Sequence, residues 1–443
     1  MKNRREFLTG IGAFVGTALL SGCGGGNDSV DAVSKTQSKA SNTMTPASAS
    51  GTSIPPAKSI IDNLGNTWSV QNQVIYLNGV ADQRTYNVTL LLWLNNILYH
   101  QGTHDQFYQW VGSTWIACMN PLTLHANPPF TKGIFYGVNG HYDYAMYPPA
   151  TLVNILQTLG FSSYRCGYEN SQASLNALVS IAQAFQQAGL TLLVVIDQHL
   201  TDNSGNLWSS ESIAYQQGYQ TGVLVARALA PYNVRYYECG NENTRDSHII
   251  YNPAYMGTRI TDYNNTNWPI LRGISLGLRD GVKSVMANAI CGMNFCVADI
   301  AASDMLWFGT QPDGTTGHPM VRWDVTTWHN YEVYGDIFNI SQDGDGAVEP
   351  HFNLPAYCKA KYGVPFIITE WSANPEDSQS NRATYITQKM TDYYNNRYDQ
   401  SIDSIMYYEL DSGDSTWGLM VNGVPNEQPY NAMKNFIASH PDV

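Results

Sequence analysis

The 443-residue chain reads as an α/β protein built on a (β/α)8 barrel, preceded by a small all-β module and a flexible tether. Three observations predict this. From Lys132 to His440, short apolar runs of strand length, eight in all, alternate with helical stretches. The runs end in polar and ionisable residues while their bodies stay apolar, as in a barrel whose chemistry sits at the C-terminal strand ends. No G-x-G-x-x-G follows the first run, which argues against the doubly wound open sheet that shares the alternation.

The elements follow in chain order. Asn3-Arg4-Arg5-Glu6-Phe7-Leu8 resembles a twin-arginine export signal. The apolar stretch Ile11–Leu20 is shorter than the roughly 20 residues a membrane-spanning helix needs. It ends in Leu20-Ser21-Gly22-Cys23, which resembles a lipoprotein signal-peptidase site and implies a lipid on Cys23. Residues 1–23 are therefore expected to be an export signal, with the mature protein anchored at the cell envelope, in the periplasm or on the outer surface. Residues 24–58, rich in Gly, Ser, Ala, Thr and Pro, read as a linker.

Residues 59–127 carry the β-type runs Val74–Leu77, Val88–Leu94 and Trp115–Cys118, with a hairpin signal at Asn78-Gly79. Trp68, Trp93, Tyr99, Phe107, Tyr108, Trp110 and Trp115 crowd this segment. They read first as the core of a small module and second as a sugar-stacking surface.

In the barrel domain, residues 128–443, the strand-like runs are Gly133–Val138, Ser163–Gly167, Thr191–Ile196, Val234–Cys239, Ser284–Ile290, Val321–Trp328, Pro365–Thr369 and Ser404–Tyr408. Pro148-Pro149 opens a helix in which Leu152, Ile155, Leu156 and Leu159 share a face. Leu175, Leu178, Ile181, Ala182 and Phe185 mark a second, stopped by Gly189. Further helices are expected over 211–230, 268–281, 298–308, 350–362, 381–396 and 428–439.

Composition excludes some functions. With 13% charged residues and a formal charge of −13, the chain offers no basic face for nucleic acid or a membrane surface. Cys118, Cys166, Cys239, Cys291, Cys296 and Cys358 lack the C-x2-C spacing of a zinc site, and either free thiols or up to three disulfides fit them. The Asp343-Gly344-Asp345-Gly346 run lacks the full EF-hand pattern and reads as a solvated loop. Neither a metal nor a cofactor is expected, and a monomer is.

The strand ends carry the chemistry. The second run contains Arg165, the third ends Asp197-Gln198-His199, the fourth Gly240-Asn241-Glu242-Asn243, the sixth Trp328-His329-Asn330-Tyr331 and the seventh Thr369-Glu370-Trp371. Glu242 and Glu370 would face each other across one barrel mouth, and paired carboxylates flanking a bond are what glycoside hydrolysis needs. Glu238, on the same face as Glu242 and deeper, would be a buried structural acid with Arg165 as partner. Asp197 reads as a strand-end hydrogen-bonding group and Glu409 as an outer acid. His141 and Tyr142 would line a subsite.

This ordered set resembles clan A glycoside hydrolases, closest in pattern to family 5 and also similar to family 39, over residues 132–440. Asn241-Glu242 matches the clan's Asn-Glu on the fourth strand, and Glu370 its nucleophile on the seventh. Arg165, His199, and His329 with Tyr331 match the family 5 Arg, His and His-x-Tyr. The usual Trp at the eighth strand end is missing. Tyr407-Tyr408-Glu409 stands there, with Trp417 farther on. The resemblance implies a glycan substrate and a retaining double displacement. Glu370 would be the nucleophile, held ionised by Arg165 and Tyr331. Glu242 would be the acid/base, its pKa raised by burial and by the charge of Glu370. Asn241 would donate to the sugar 2-hydroxyl, His199 and His329 would bind hydroxyls or orient the carboxylates, and Trp371 and Trp417 would contact substrate. A glycan-binding lipoprotein without turnover and a transglycosylase are the alternatives. Sugar and linkage would be set by loops 200–212, 243–268 and 332–350.

Overall fold

The computed structural model describes residues 47–49, 51–94, 97–103, 106–111, 114–118, 121, 133–141, 147–202, 204–340, 352–413 and 417–442. The export and lipidation motifs at Arg4, Arg5 and Cys23, Tyr142, and the acidic run at 343–346 lie outside them.

The expected barrel is present. Eight parallel strands close in chain order: β10 (Tyr136–Asn139), β11 (Ser163–Tyr168), β12 (Thr191–Ile196), β13 (Tyr236–Cys239), β14 (Ile290–Cys296), β15 (Val325–His329), β16 (Phe366–Trp371) and β17 (Ile402–Tyr407). Around them run α1 (Pro149–Leu159), α2 (Gln172–Ala188), α3 (Glu211–Leu229), α4 (Trp268–Val285), α5 (Ile300–Phe308), α6 (Leu354–Tyr362), α7 (Gln379–Asn396) and α8 (Glu427–Ser439). Every residue of β12 and β16 is buried, as expected for parallel strands covered on both faces. Local chemistry sets the helix ends. Ser171, Ser210 and Ser378 accept the backbone N–H three residues on. Gly189 ends α2 in the left-handed conformation at φ 69°.

The barrel interior has two levels, with a register shift in β16 bringing Thr369 and Glu370 inside together. Leu193, Val195, Val325, Ile367 and Met406 form an apolar cluster. Arg165, Glu238, Asn294, Thr369 and Glu370, farther along strands of the same barrel, form the polar level toward the C-terminal ends.

Helices α3 and α4 touch backbone to backbone. A Cβ on Gly277 would lie 2.2 Å from the Tyr215 carbonyl oxygen, and one on Gly222 2.4 Å from that of Leu278.

The N-terminal module has two antiparallel sheets. One comprises β2 (Ile60–Ile61), β3 (Thr67–Gln71), β4 (Val74–Leu77) and β5 (Val80–Ala81). The other comprises β1 (Thr52–Ile54), β6 (Leu90–Leu94), β7 (Ile97–Gln101), β8 (Phe107–Val111) and β9 (Thr114–Cys118). Trp68, Trp93 and Trp110 are buried in its core, which favours the first reading of the aromatic cluster. The Gln109 amide donates to the Ala228 carbonyl of α3 at 2.8 Å and ties the module to the barrel.

Two expectations are corrected. The Thr52–Ile54 strand falls inside 24–58, read as linker. It pairs with β6 through backbone bonds and buries only Ile54, so its composition carried no signal. The fifth barrel strand is Ile290–Cys296 and not Ser284–Ile290, because α4 continues to Val285. No helix among the described residues is long and apolar enough to cross a membrane. Cys166, Cys239, Cys291, Cys296 and Cys358 are free, buried thiols, so the disulfide option fails for these five.

Candidate active site

Arg165 is the hub of the barrel mouth. Its Nε donates to Glu238 Oε2 at 2.6 Å, and its Nη1 to Glu370 Oε1 at 2.6 Å and Asn139 Oδ1 at 2.8 Å. Nη2 donates to Asn241 Oδ1 at 2.9 Å. Asn139 is held in turn, donating from Nδ2 to the Thr369 carbonyl at 2.8 Å. Glu238 is fully buried and satisfied, its Oε1 accepting from Asn294 Nδ2 at 2.8 Å and Thr369 Oγ1 at 2.9 Å. It is the structural acid the sequence suggested, since a buried carboxylate persists only when paired and hydrogen-bonded.

Glu370 points inward from the end of β16. Besides Arg165, it accepts from the Tyr331 hydroxyl on Oε2. Burial and the charge of Glu370 push that phenol well above its ordinary value, so Tyr331 stays a donor. Glu242 follows β13 in a left-handed conformation, φ 49°, after Gly240 at φ 101°. Its N–H donates to Asn294 Oδ1 at 2.7 Å. Its carboxylate Oε1 lies 2.7 Å from His329 Nδ1. One oxygen each from Glu242 and Glu370 and one ring nitrogen of His329 all lie within 4.8 Å of one another. That triad has the donors of a metal site, and the same side chains are hydrogen-bonded, Glu370 to Arg165 and Glu242 to His329.

The electrostatics correct one expectation. Burial pushes the Glu242 carboxyl up, but the His329 hydrogen bond and the charges of Arg245 and Arg165 outweigh it, and its pKa lies below the ordinary glutamate value. Burial disfavours charge on His329, and the carboxylates of Glu370 and Glu242 overcome this, raising its proton affinity.

A buried clamp holds the loop after Glu242. Arg245 Nη1 donates to Asp299 Oδ1 at 2.8 Å, and the hydroxyls of Thr244 and Tyr263 donate to the same carboxylate at 2.6 and 2.9 Å.

Trp417 is half-buried, its ring 5.3 Å from Tyr331 and 6.0 Å from Tyr408, both edge-on. His141 Nε2 lies 3.2 Å from the Tyr408 hydroxyl and 3.7 Å from Glu409. Arg165, Asn241, Glu242, His329, Tyr331 and Glu370 are thus brought together, with Trp417 and His141 beside them. His199 is exposed on the rim beside Asp197, whose carboxyl burial pushes up, and makes no hydrogen bond to either glutamate. Trp371 is not at the site. Alternation turns it outward, where it is buried against Tyr393 of α7 and Tyr407. Sequence reasoning missed Asn139, Asn294 and the Arg245–Asp299 clamp. Asn139 was within reach, being the polar residue directly after the first apolar run.

No family model and no curated protein sequence matches the chain. Among solved structures, the β-glycosidase of Thermosphaera aggregans is similar at 12% identity and a TM-score of 0.52, covering 72% of this chain and 98% of its own. A β-glucosidase of Thermotoga maritima gives 12% identity, 71% and 99% coverage and a TM-score of 0.49. A family 39 glycoside hydrolase of Bacteroides cellulosilyticus gives 12%, 84% and 74%, and 0.46. The likeness to the Thermosphaera structure shows a shared barrel fold.

Proposed function

We propose that the chain is a retaining glycosidase acting on a β-linked polysaccharide or oligosaccharide, with Glu370 as nucleophile and Glu242 as acid/base. The separation of the two glutamates carries this reading, with one oxygen of each within 4.8 Å. Retaining enzymes hold their carboxyls about 5–5.5 Å apart, so that one attacks the sugar directly; inverting enzymes need about 6.5–9.5 Å to seat a water.

In the first step Glu370 attacks the anomeric carbon, the glycosidic C–O bond breaks, and Glu242 gives its proton to the departing oxygen. Arg165 and Tyr331 hold one oxygen of Glu370 each, which fixes its line of attack. In the second step Glu242, now a carboxylate, takes a proton from water. The water oxygen bonds the anomeric carbon and Glu370 leaves. Asn241 spends Oδ1 on Arg165, which leaves Nδ2 to donate to a sugar hydroxyl. Trp417 supports the part of the missing strand-eight tryptophan because it lies beside Tyr331. The β-glycosidase names of the structural neighbours agree with this reading. We further propose that the protein is a twin-arginine-exported lipoprotein anchored through Cys23, on the strength of its N-terminal motifs.

The test is a panel of β-glycans and aryl β-glycosides offered to the wild type, Glu242→Ala and Glu370→Ala. The reading expects turnover by the wild type and its loss in both variants. Sugar affinity without turnover would favour the binding-protein alternative, and oligosaccharide synthesis at high acceptor concentration the transglycosylase. Variants as active as the wild type would overturn it.

A further inference from the structure

Asn294 has no role in the chemistry described so far, yet it touches the Glu238 carboxylate, the His329 ring and the backbone of Glu242. It comes from β14 and is buried. The Glu242 N–H donates to its Oδ1 at 2.7 Å, which fixes the side-chain amide and turns Nδ2 inward. Nδ2 then has two acceptors, Glu238 Oε1 at 2.8 Å and His329 Nε2 at 2.8 Å. Arg165 Nη2, 3.3 Å away, offers Nε2 a second N–H. Asn294 and Arg165 aim N–H groups at Nε2, and the acceptor near it, Glu370 Oε1 at 3.4 Å, already takes the Arg165 Nη1 proton at 2.6 Å, so Nε2 keeps its lone pair and Nδ1 carries the ring proton, donated to Glu242 Oε1.

This decides where an added proton goes. His329 and Glu242 titrate as a pair, and the next proton can sit on the imidazole or on the carboxyl. The carboxylates of Glu370 and Glu242 draw that proton toward the imidazole, but the two N–H groups aimed at Nε2 leave it no free lone pair, so the proton goes to Glu242, whose Oε2 makes no hydrogen bond among the described residues and whose side chain stays one-third exposed toward the mouth. We propose that Asn294 is a positioning residue that holds the proton of the His329–Glu242 pair on Glu242, in place to be given to a leaving group. The proposal rests on the glycosidase reading for its kinetic consequence and on geometry alone for its tautomer.

Two measurements test it. The first is 15N NMR of histidine-labelled full-length protein, with His329 assigned by the signal lost in His329→Gln. The wild type is expected to show a protonated Nδ1 and an unprotonated Nε2 from acidic to neutral pH. In Asn294→Asp, which presents an acceptor to Nε2, that nitrogen is expected to gain a proton. A protonated Nε2 in the wild type would overturn the proposal whether or not the protein is a glycosidase.

The second compares kcat/KM on phenyl and 2,4-dinitrophenyl β-glycosides, the latter needing no acid. General acid catalysis is worth about 10²–10⁴-fold. Asn294→Ala and Asn294→Asp are expected to lose on the order of tenfold or more of it on the phenyl substrate and little on the dinitrophenyl one. Equal losses on both would mean a merely structural residue and would sink the proposal. No wild-type turnover on either would instead sink the glycosidase reading, and the NMR result would stand.

Discussion

Replacing Arg165 with methionine tests how the barrel carries its buried charge. Arg165 is 5% exposed and contacts Glu238, fully buried, and Glu370, 7% exposed, at 2.6 Å each. Arg165→Met leaves both carboxylates without their cation. Glu238 keeps two neutral donors, Asn294 and Thr369, and Glu370 keeps Tyr331. Breaking a buried pair from one side costs about 3–5 kcal/mol, most of it the penalty of the orphaned charge. Glu238→Gln added to Arg165→Met removes one of those charges at nearly constant volume, so the double variant is expected to be more stable than Arg165→Met by about 2 kcal/mol. Urea unfolding followed by circular dichroism, closed as a double-mutant cycle, reads this coupling. If the two substitutions destabilise additively, the charge accounting given for the barrel mouth is wrong.

Other outcomes follow from the same contacts. His329→Ala removes the hydrogen-bond donor that helps hold the Glu242 pKa down, so that pKa rises. Since the first step needs Glu242 protonated, the basic limb of the kcat/KM profile is expected to move to higher pH. A downward shift would contradict the assignment. Gly277→Ala sets a methyl 2.2 Å from the Tyr215 carbonyl and should cost at least about 1–3 kcal/mol by thermal unfolding. Trp371→Ala should destabilise by about 3–5 kcal/mol and leave KM alone, whereas Trp417→Ala should raise KM with little change in stability. The reverse pattern would exchange their roles.

The sequence made the barrel legible because its strands are apolar runs bounded by turn residues and its helices carry end signals such as Pro148-Pro149 and Gly189. The site was legible where polar residues sit at strand ends: Arg165, Asn241, Glu242, His329, Tyr331 and Glu370 all converge. It failed where function broke the strand pattern. β14 reads Ile-Cys-Gly-Met-Asn-Phe-Cys, and its Gly and Asn look like turn residues. A Cβ on Gly292 would meet the Thr327 methyl at 2.6 Å, and Asn294 is the inward polar group between Glu238, Glu242 and His329. The features that hid the strand are those that pack it and serve the site. Trp371 misled for the opposite reason. A register shift in β16 brings both Thr369 and Glu370 inside, and Trp371, one residue on, takes the outer face. The direction of the Glu242 pKa was hidden as well, because it depends on three-dimensional neighbours such as Arg245 that no motif links to it.

The most direct test is the configuration of the first-formed product. Hydrolysis of a β-glycoside by the wild type, followed by proton NMR before mutarotation, should show the β anomer appearing first, as two displacements through Glu370 require. An α anomer appearing first would mean a single displacement by water and would contradict nucleophilic attack by Glu370.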